Sequence, residues 1–503
     1  MLMCRAMYFL GYDLGSSSVK ACLLDAELGR GVARSTYPDR EMPIAAPRPG
    51  WAEQYPDSWW DAAKIATERL LASAGITPSE IGGIGISYQM HGLVIVDEQG
   101  KPLRPAIIWC DSRAVEVGDR AFEVLGSQRC LDALLNSPGN FTASKLAWVR
   151  ENESDVFERV DKLLLPGDYF AWRLTGRMAT TVSGLSEGML WDFSENRVAG
   201  FVLEHYGIPE SVVPETVPTF GEQGRLTDTA ARELGLAPGT PVVYRAGDQP
   251  NNALSVNVLE PGEIAATAGT SGVVYGVSET VRADPRSRVN SFAHVNHSGD
   301  ETRLGILLCI NGAGSSNRWL RDTLSTSSTG PTSYDEMNES ASATPIGARG
   351  LLVFPFGNGA ERMLENRNPG ASLAHLNFNI HDGAHLARAV QEGVAFSFRY
   401  GMDILGELGM RPKVIRAGRA NMFTSPLFTD AVTGATGVSV ELYQTDGAEG
   451  AARGAAIGAK HFTLAEAFEG LEREATIEPD PERRSEYEDA YGRWVSELRE
   501  RMG

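Results

Sequence analysis

Two α/β domains facing each other across a cleft are the fold class this sequence predicts, and three observations predict it. The chain has 503 residues, too many for one hydrophobic core and enough for two units. A strand, a small-residue turn and a second strand open the chain, and the same grammar returns about half a chain later, as in a duplicated fold. Elsewhere, segments with strand patterning trade places with segments of helical spacing. The predicted division lies near residue 245, with one domain over 1–245 and a second over 246–503.

Taken in order, residues 7–14 (MYFLGYDL) read as a buried strand, Gly15-Ser16-Ser17-Ser18 as the turn, and Val19 to Leu24 as its partner strand. Trp59 to Ala74 has helical spacing. IGGIGISYQ and LVIVD read as strands, and Thr142 to Asn152 as an amphipathic helix. Pro209 to Pro241 is rich in Pro, Gly and Thr and carries a single helix near Thr229 to Leu236. The second strand, turn and strand unit runs EIAATA, Gly269-Thr270-Ser271-Gly272, VVYGV. Ala384 to Leu408 is a long helix, Val414 to Ala417 a short strand, Gly447 to Ala459 a small-residue helix, and an acidic helical tail follows from Pro479.

Hydrophobic residues make up 42% and charged residues 22%, the balance of a globular chain. The formal charge of -19 disfavours nucleic-acid and acidic-membrane partners, which are bound by clustered Lys and Arg. Phosphate held by this chain would rest on backbone amides, helix N-termini and a divalent cation. Five cysteines, Cys4, Cys22, Cys110, Cys130 and Cys309, form no CxxC pair, which fits a reducing compartment. With no cleavable leader and no apolar stretch near the ~18 residues a membrane span needs, a cytoplasmic location is expected. The sequence leaves a homodimer open.

No G-x-x-x-x-G-K-[ST] sequence occurs, which excludes the P-loop. The two glycine-hydroxyl turns can take its place, since glycine lets backbone N–H groups approach a phosphate closely. Such a turn alone is most often only a turn. Asp13, at the end of the first strand, is placed to hold Mg²⁺ through water, with Lys20 a second candidate. In YRAGDQPNNALSVNVLEPGEIAATAGTSG, Asp248 ends an apolar strand among amide side chains and precedes the second turn by about twenty residues. It is the candidate general base, with Gln249, Asn251 or Asn252 orienting a polyol, although a Gly-Asp pair is more commonly a turn or a helix cap. Gln89, Met90 and His91 close a buried strand where α/β proteins place ligand contacts, and His91 is a candidate donor to a hydroxyl or to developing charge. Trp109 offers an apolar wall; Asp111 and Arg113 are sugar contacts or a structural ion pair. His381-Asp382-Gly383-Ala384-His385 imitates a zinc motif but lacks its Glu and a third ligand, and is read as structural.

Together these residues resemble the FGGY carbohydrate kinase family over nearly the whole chain. The first phosphate motif is similar to Asp13-Leu14-Gly15-Ser16-Ser17-Ser18, the second to Thr267-Ala268-Gly269-Thr270-Ser271, the adenosine segment to RAGRANMFTSPLFTD, and a signature helix to Thr142-Ala143-Ser144-Lys145-Leu146-Ala147-Trp148-Val149-Arg150-Glu151-Asn152. The resemblance implies an actin-like (ribonuclease H-like) fold in both domains, ATP and Mg²⁺, with Asp13 and Asp248 at the metal and Gly314, Asn317, Gly418 and Asn421 at the nucleotide. Within the family, YQMHG followed by LRPAIIWCDSRA looks most like the xylulokinases, whose Met-His pair contacts the ketose, and this implies phosphorylation of D-xylulose at its terminal hydroxyl. Gln249, Asn140, Arg419 and the run Leu376-Asn377-Phe378-Asn379 depart from the usual pattern. Kinases for ribulose, a deoxyketose, gluconate or a polyol are therefore the alternatives, and a non-catalytic ATP- or sugar-binding protein on the same fold is the alternative of a different class.

Overall fold

The computed structural model describes residues 7–325 and 332–503, and it contains two sheets built to one plan. In the first, β1 (Tyr8–Leu14), β2 (Val19–Asp25) and β3 (Arg30–Tyr37) form an antiparallel meander, and β4 (Ile81–Tyr88) and β6 (Pro241–Gly247) extend it in parallel beside β1. β5 (Phe220–Arg225) closes the edge, giving the order β5-β6-β4-β1-β2-β3. The second sheet repeats the plan with β7 (Glu263–Ala268), β8 (Gly272–Ser278), β9 (Asn290–Ala293), β10 (Leu304–Ile310), β11 (Val414–Gly418), β12 (Val440–Tyr443) and β13 (Arg473–Ile477), ordered β9-β10-β8-β7-β11-β12-β13. Each sheet thus has a central strand whose hairpin partner lies on one side and whose parallel neighbours lie on the other. Its turns, Gly15 to Ser18 and Gly269 to Ser271, are those the sequence singles out.

Helices cover these sheets for simple reasons of pattern. α1 (Pro56–Ala74) begins with proline at its first turn, ends on Gly75 at φ 67°, and buries Trp59, Trp60, Ala63, Ala66 and Leu70 against the first sheet. α4 (Gly383–Glu407) starts where the Asp382 side chain accepts from the Ala384 and His385 amides, so the Asp of the zinc-like run is a helix cap.

The other face of the first sheet is covered by a helix from the far end of the chain. α6 (Gly447–Gly458) lies on β1 and β4 so closely that a Cβ on Gly11 would fall 2.0 Å from the Ala448 carbonyl oxygen, and one on Gly85 2.0 Å from that of Ala451. Only glycine permits this approach of backbone to backbone. α6 also packs on α2 (Asp248–Ser255), the helix after β6. The two helices, each following the last parallel strand of its half, therefore meet between the sheets.

Two expectations need correction. The Pro209 to Pro241 segment carries a strand, β5, besides its helix at Asp228–Leu234. Gly221 and Gly224, both at φ 150°, a backbone conformation that residues with side chains rarely adopt, hide the strand by diluting its apolar pattern. The C-terminal helix, α7 (Arg484–Met502), is not a free tail: Tyr487, Ala490, Tyr491, Trp494 and Leu498 are buried in the second domain's core. Cys4 lies outside the described residues. Among those described, no helix is long and apolar enough to cross a membrane.

Candidate active site

The first carboxylate is delivered by strand register. Asp13, next to last in β1, pairs with Lys20 on β2 and Ser87 on β4. Ser87 Oγ donates to Asp13 Oδ1 at 2.9 Å, and Lys20 Nζ stands 3.5 Å from Oδ2. The charge of Asp13 raises the Lys20 pKa above its ordinary value against the pull of burial, with Asp446 and Asp248 adding to it. Lys20 therefore stays a full cation beside the first turn. That turn closes with the Gly15 amide on the Ser18 carbonyl at 3.0 Å. Gln54 holds the Ser16 carbonyl at 2.7 Å, and the half-exposed indole of Trp109 reaches Ser16 Oγ at 3.4 Å.

Asp248 is the first residue of α2, directly after β6. Burial, reinforced by the charge of Asp13, pushes its pKa up to about 7, against hydrogen bonds from the Gln249 backbone and side chain and the charge of Lys20. A carboxyl that titrates near neutrality suits a general base. Asp13 and Asp248 feel each other as like charges, and no group of three or more His, Cys, Asp or Glu gathers among the described residues. A divalent cation here would have Asp13 and Asp248 as its candidate carboxylates and would take its other positions from water and phosphate oxygens, the mode Mg²⁺ favours.

At its C-terminal end β4 runs into Gln89, Met90 and His91. His91 takes a left-handed backbone conformation at φ 62°, and its Nδ1 lies 3.1 Å from the Glu187 carbonyl oxygen. A carbonyl only accepts, so Nδ1 carries the hydrogen. Burial, with the charge of Lys145, pulls the His91 pKa down to about 3. The ring is neutral and Nε2 is left as an acceptor, which corrects the expectation of a donor. Phe141 and Phe292 pack on the ring at centroid distances of 4.8 and 5.2 Å, one from each half of the chain. Met90 touches Gly247, the residue before Asp248, and so does the buried carboxyl of Glu187.

Some neighbours of these residues have other employment. Asn251 is fully buried, its amide nitrogen on the Gly447 carbonyl at 2.8 Å and its oxygen facing the Tyr244 hydroxyl at 3.2 Å. It locks α2 to α6 and, with no exposed surface, is closed to a polyol. Asp111 and Arg113 form a buried bidentate pair with contacts of 2.6–3.0 Å, which decides for the structural ion pair.

The second turn borders a cavity of about 290 Å³ lined by Gly269, Thr270, Gly314, Asn317, Asn421 and their neighbours. The helix α3 (Ala313–Leu324) starts there: the Gly314 amide donates to the Gly269 carbonyl at 2.8 Å and Ser315 to Thr270 at 3.1 Å. Asn317 is buried, with Oδ1 lacking a partner, an orphaned acceptor that fits a ligand's amino or hydroxyl group. Gly418 borders a smaller cavity of about 170 Å³ with Asn252 and Asp446, and the two cavities share Ala268 and Asn421. Ser271 is exposed on the turn and lines neither.

The sequence reading missed Asp446, Phe141, Phe292, Lys145 and Glu187. Asp446 had a signal, since it precedes a small-residue helix after a strand just as Asp248 does. Lys145 lay within the signature helix with no role attached to it, and the rest had no signal, because their roles depend on partners far along the chain.

Against known proteins, residues 8–255 match the family model described as the FGGY family of carbohydrate kinases, N-terminal domain, and residues 264–461 match the C-terminal domain of that family. A xylulose kinase of Klebsiella pneumoniae is 32% identical over 89% of this chain and 88% of its own. A solved xyloylose kinase from Brucella ovis is 29% identical with a TM-score of 0.87, covering 98% of this chain and 99% of that one. A gluconate kinase from Lactobacillus acidophilus, 21% identical, reaches a TM-score of 0.89 over 99% of both chains, a likeness of fold alone.

Proposed function

The chain belongs to the FGGY family of carbohydrate kinases, and we propose that the sugar it phosphorylates is D-xylulose, at the terminal hydroxyl. Kinases of this family use ATP and a divalent metal, generally Mg²⁺. The observation that carries the choice of sugar is the Met90-His91 pair: Met90 stands against Gly247 beside Asp248, and His91 is a neutral imidazole whose Nδ1 is engaged by the Glu187 carbonyl, which makes Nε2 its acceptor. Such a nitrogen takes a hydrogen bond from a sugar hydroxyl without adding charge to the pocket. The xylulose kinase name of the relative that matches most of the chain supports the same choice.

In this reading the sugar lies against Gln89, Met90, His91, Trp109 and Gln249, with its terminal hydroxyl on Asp248. As the oxygen attacks the γ-phosphorus of ATP, its proton passes to Asp248, and the bond to the leaving ADP oxygen breaks. Lys20 and the amides of Gly15, Ser16 and Ser17 face the phosphates from one sheet, and those of Gly269, Thr270 and Ser271 from the other. Gly314, Asn317, Gly418 and Asn421 hold the nucleoside. A bound Mg²⁺, held by Asp13 and Asp248, supplies positive charge to the transferring group. Trp109 and the Phe141 and Phe292 rings limit water at the reacting end.

A panel of D-xylulose, D-ribulose, a deoxyketose, gluconate and glycerol with coupled ADP detection tests the substrate. D-xylulose is expected to give a kcat/KM at least tenfold above the others. A higher value for another sugar overturns the substrate and leaves the kinase reading intact.

A further inference from the structure

Lys145 carries a charge-bearing side chain into a site with 0% exposure. It projects from the helix Thr142–Asn152 into the space behind the two sugar-facing segments. Its Nζ donates to the His91 carbonyl at 2.8 Å and to the Ile108 carbonyl at 3.1 Å. Among the described residues no carboxylate comes within ion-pair distance of it. Burial pulls its pKa down to about 7, partly offset by the charge of Asp111. An apolar side chain of similar length would fill this space without the desolvation cost of an ammonium, so the value of a lysine here lies in what its two hydrogen bonds hold.

The two segments exchange backbone hydrogen bonds at Leu93 and Ile107, 2.9 and 3.1 Å, and Lys145 extends that tie beyond its last rung, to the His91 and Ile108 carbonyls. His91, at φ 62°, has a conformation that costs energy in any residue with a side chain and persists only where its surroundings over-determine it. Ile108 immediately precedes Trp109, whose indole reaches the phosphate turn at Ser16. One ammonium thus spans the segment that carries Met90 and His91 and the segment that carries Trp109.

We infer that Lys145 is a positioning residue for the acceptor sugar: by tying the His91 carbonyl to the Ile108 carbonyl it sets the distance between the imidazole and the indole wall. The inference rests on the proposed sugar site. Replacing the ammonium leaves the rung between Leu93 and Ile107 in place but frees the ends beyond it, so that His91 and Trp109 shift relative to each other, which loosens sugar binding and leaves the nucleotide cavity, bordered by the other domain, as it was.

The test uses Lys145→Met, Lys145→Gln, His91→Ala and the Lys145→Met/His91→Ala double variant of the full chain, assayed with the sugar that the panel ranks first. Lys145→Met is expected to raise the sugar KM at least tenfold with the ATP KM within twofold of wild type. Lys145→Gln, which keeps a donor, recovers part of the loss. The double variant is expected to be no more than about threefold worse than the worse single variant, since coupled residues are not additive. An unchanged sugar KM, an equal rise in both KM values, or full additivity overturns the clamp. If Lys145→Met does not fold, Lys145→Gln carries the same readout: a raised sugar KM with unchanged ATP KM supports the clamp, and an unchanged sugar KM overturns it. If His91→Ala itself leaves the sugar KM unchanged, the sugar-site reading fails and takes the clamp with it. If His91→Ala raises it and Lys145→Met does not, only the clamp fails.

Discussion

At the scale of single residues, the proposed chemistry turns on two carboxylates with different fates. Asp13 keeps a hydroxyl donor and an ammonium beside it, whereas Asp248 is part-buried, and desolvation with Asp13 as a like-charged neighbour pushes its pKa up to about 7. Below that value Asp248 is protonated and cannot accept the hydroxyl proton; above it the carboxylate is free to act. The kcat/KM of the kinase is therefore expected to fall tenfold per pH unit on the acid side, with a midpoint near pH 7. A flat profile down to pH 5 would contradict this. Asp248→Asn is expected to lower kcat by roughly 10²–10⁴-fold with an unchanged circular dichroism spectrum, and near-normal turnover in that folded variant would remove Asp248 from the role of base. Asp13 and Asp248 were legible in the sequence because each ends an apolar strand. The acceptor character of His91 was not, because it is imposed by the carbonyl of Glu187, 96 positions away, and Asn251 reads as a pocket residue until its partners on Tyr244 and Gly447 are seen.

At the scale of elements, the helix Gly447–Gly458 ties the halves together through backbone contact rather than large side chains. Gly11→Ala puts a methyl group 2.0 Å from the Ala448 carbonyl oxygen, and overpacking of this kind costs about 1–3 kcal/mol or more. Urea unfolding is expected to show that loss; a midpoint equal to wild type would mean that the helix does not sit on β1 as described. The terminal helix makes a parallel case. Trp494 is fully buried and its Nε1 donates to the Val353 carbonyl at 2.8 Å, so Trp494→Ala is expected to destabilise the second domain by about 3–5 kcal/mol, read in the same way. An acidic composition made this segment look like a tail, because its five core residues are spaced along one face among many charges. The strand Phe220–Arg225 escaped notice for the opposite reason: its pairing with β6 is real, but two glycines in six residues leave little pattern to read.

For the whole molecule, duplication was the most legible feature. Two strand, turn and strand units with the same wording announced two sheets alike around their central strands and different at their edges, and the structure adds that each sheet's last parallel strand feeds a helix lying between the domains. What no local pattern announces is the shared core, in which Met90 and Phe141 of the first half pack with Tyr275 and Phe292 of the second. A site lined from both halves predicts that sugar and nucleotide each stabilise the native state. At one hundred times its dissociation constant a ligand adds about 2.7 kcal/mol, so D-xylulose and a non-hydrolysable ATP analogue should each raise the melting temperature, and an analogue that leaves it unchanged would argue against the nucleotide cavity at Gly269 and Gly314. The most direct test of the proposed activity is ³¹P NMR of the protein incubated with D-xylulose, ATP and Mg²⁺. A new phosphomonoester signal coupled to the C5 protons of the ketose is expected, growing in step with ADP; ADP released without that signal, or no ADP at all, would contradict the proposed activity.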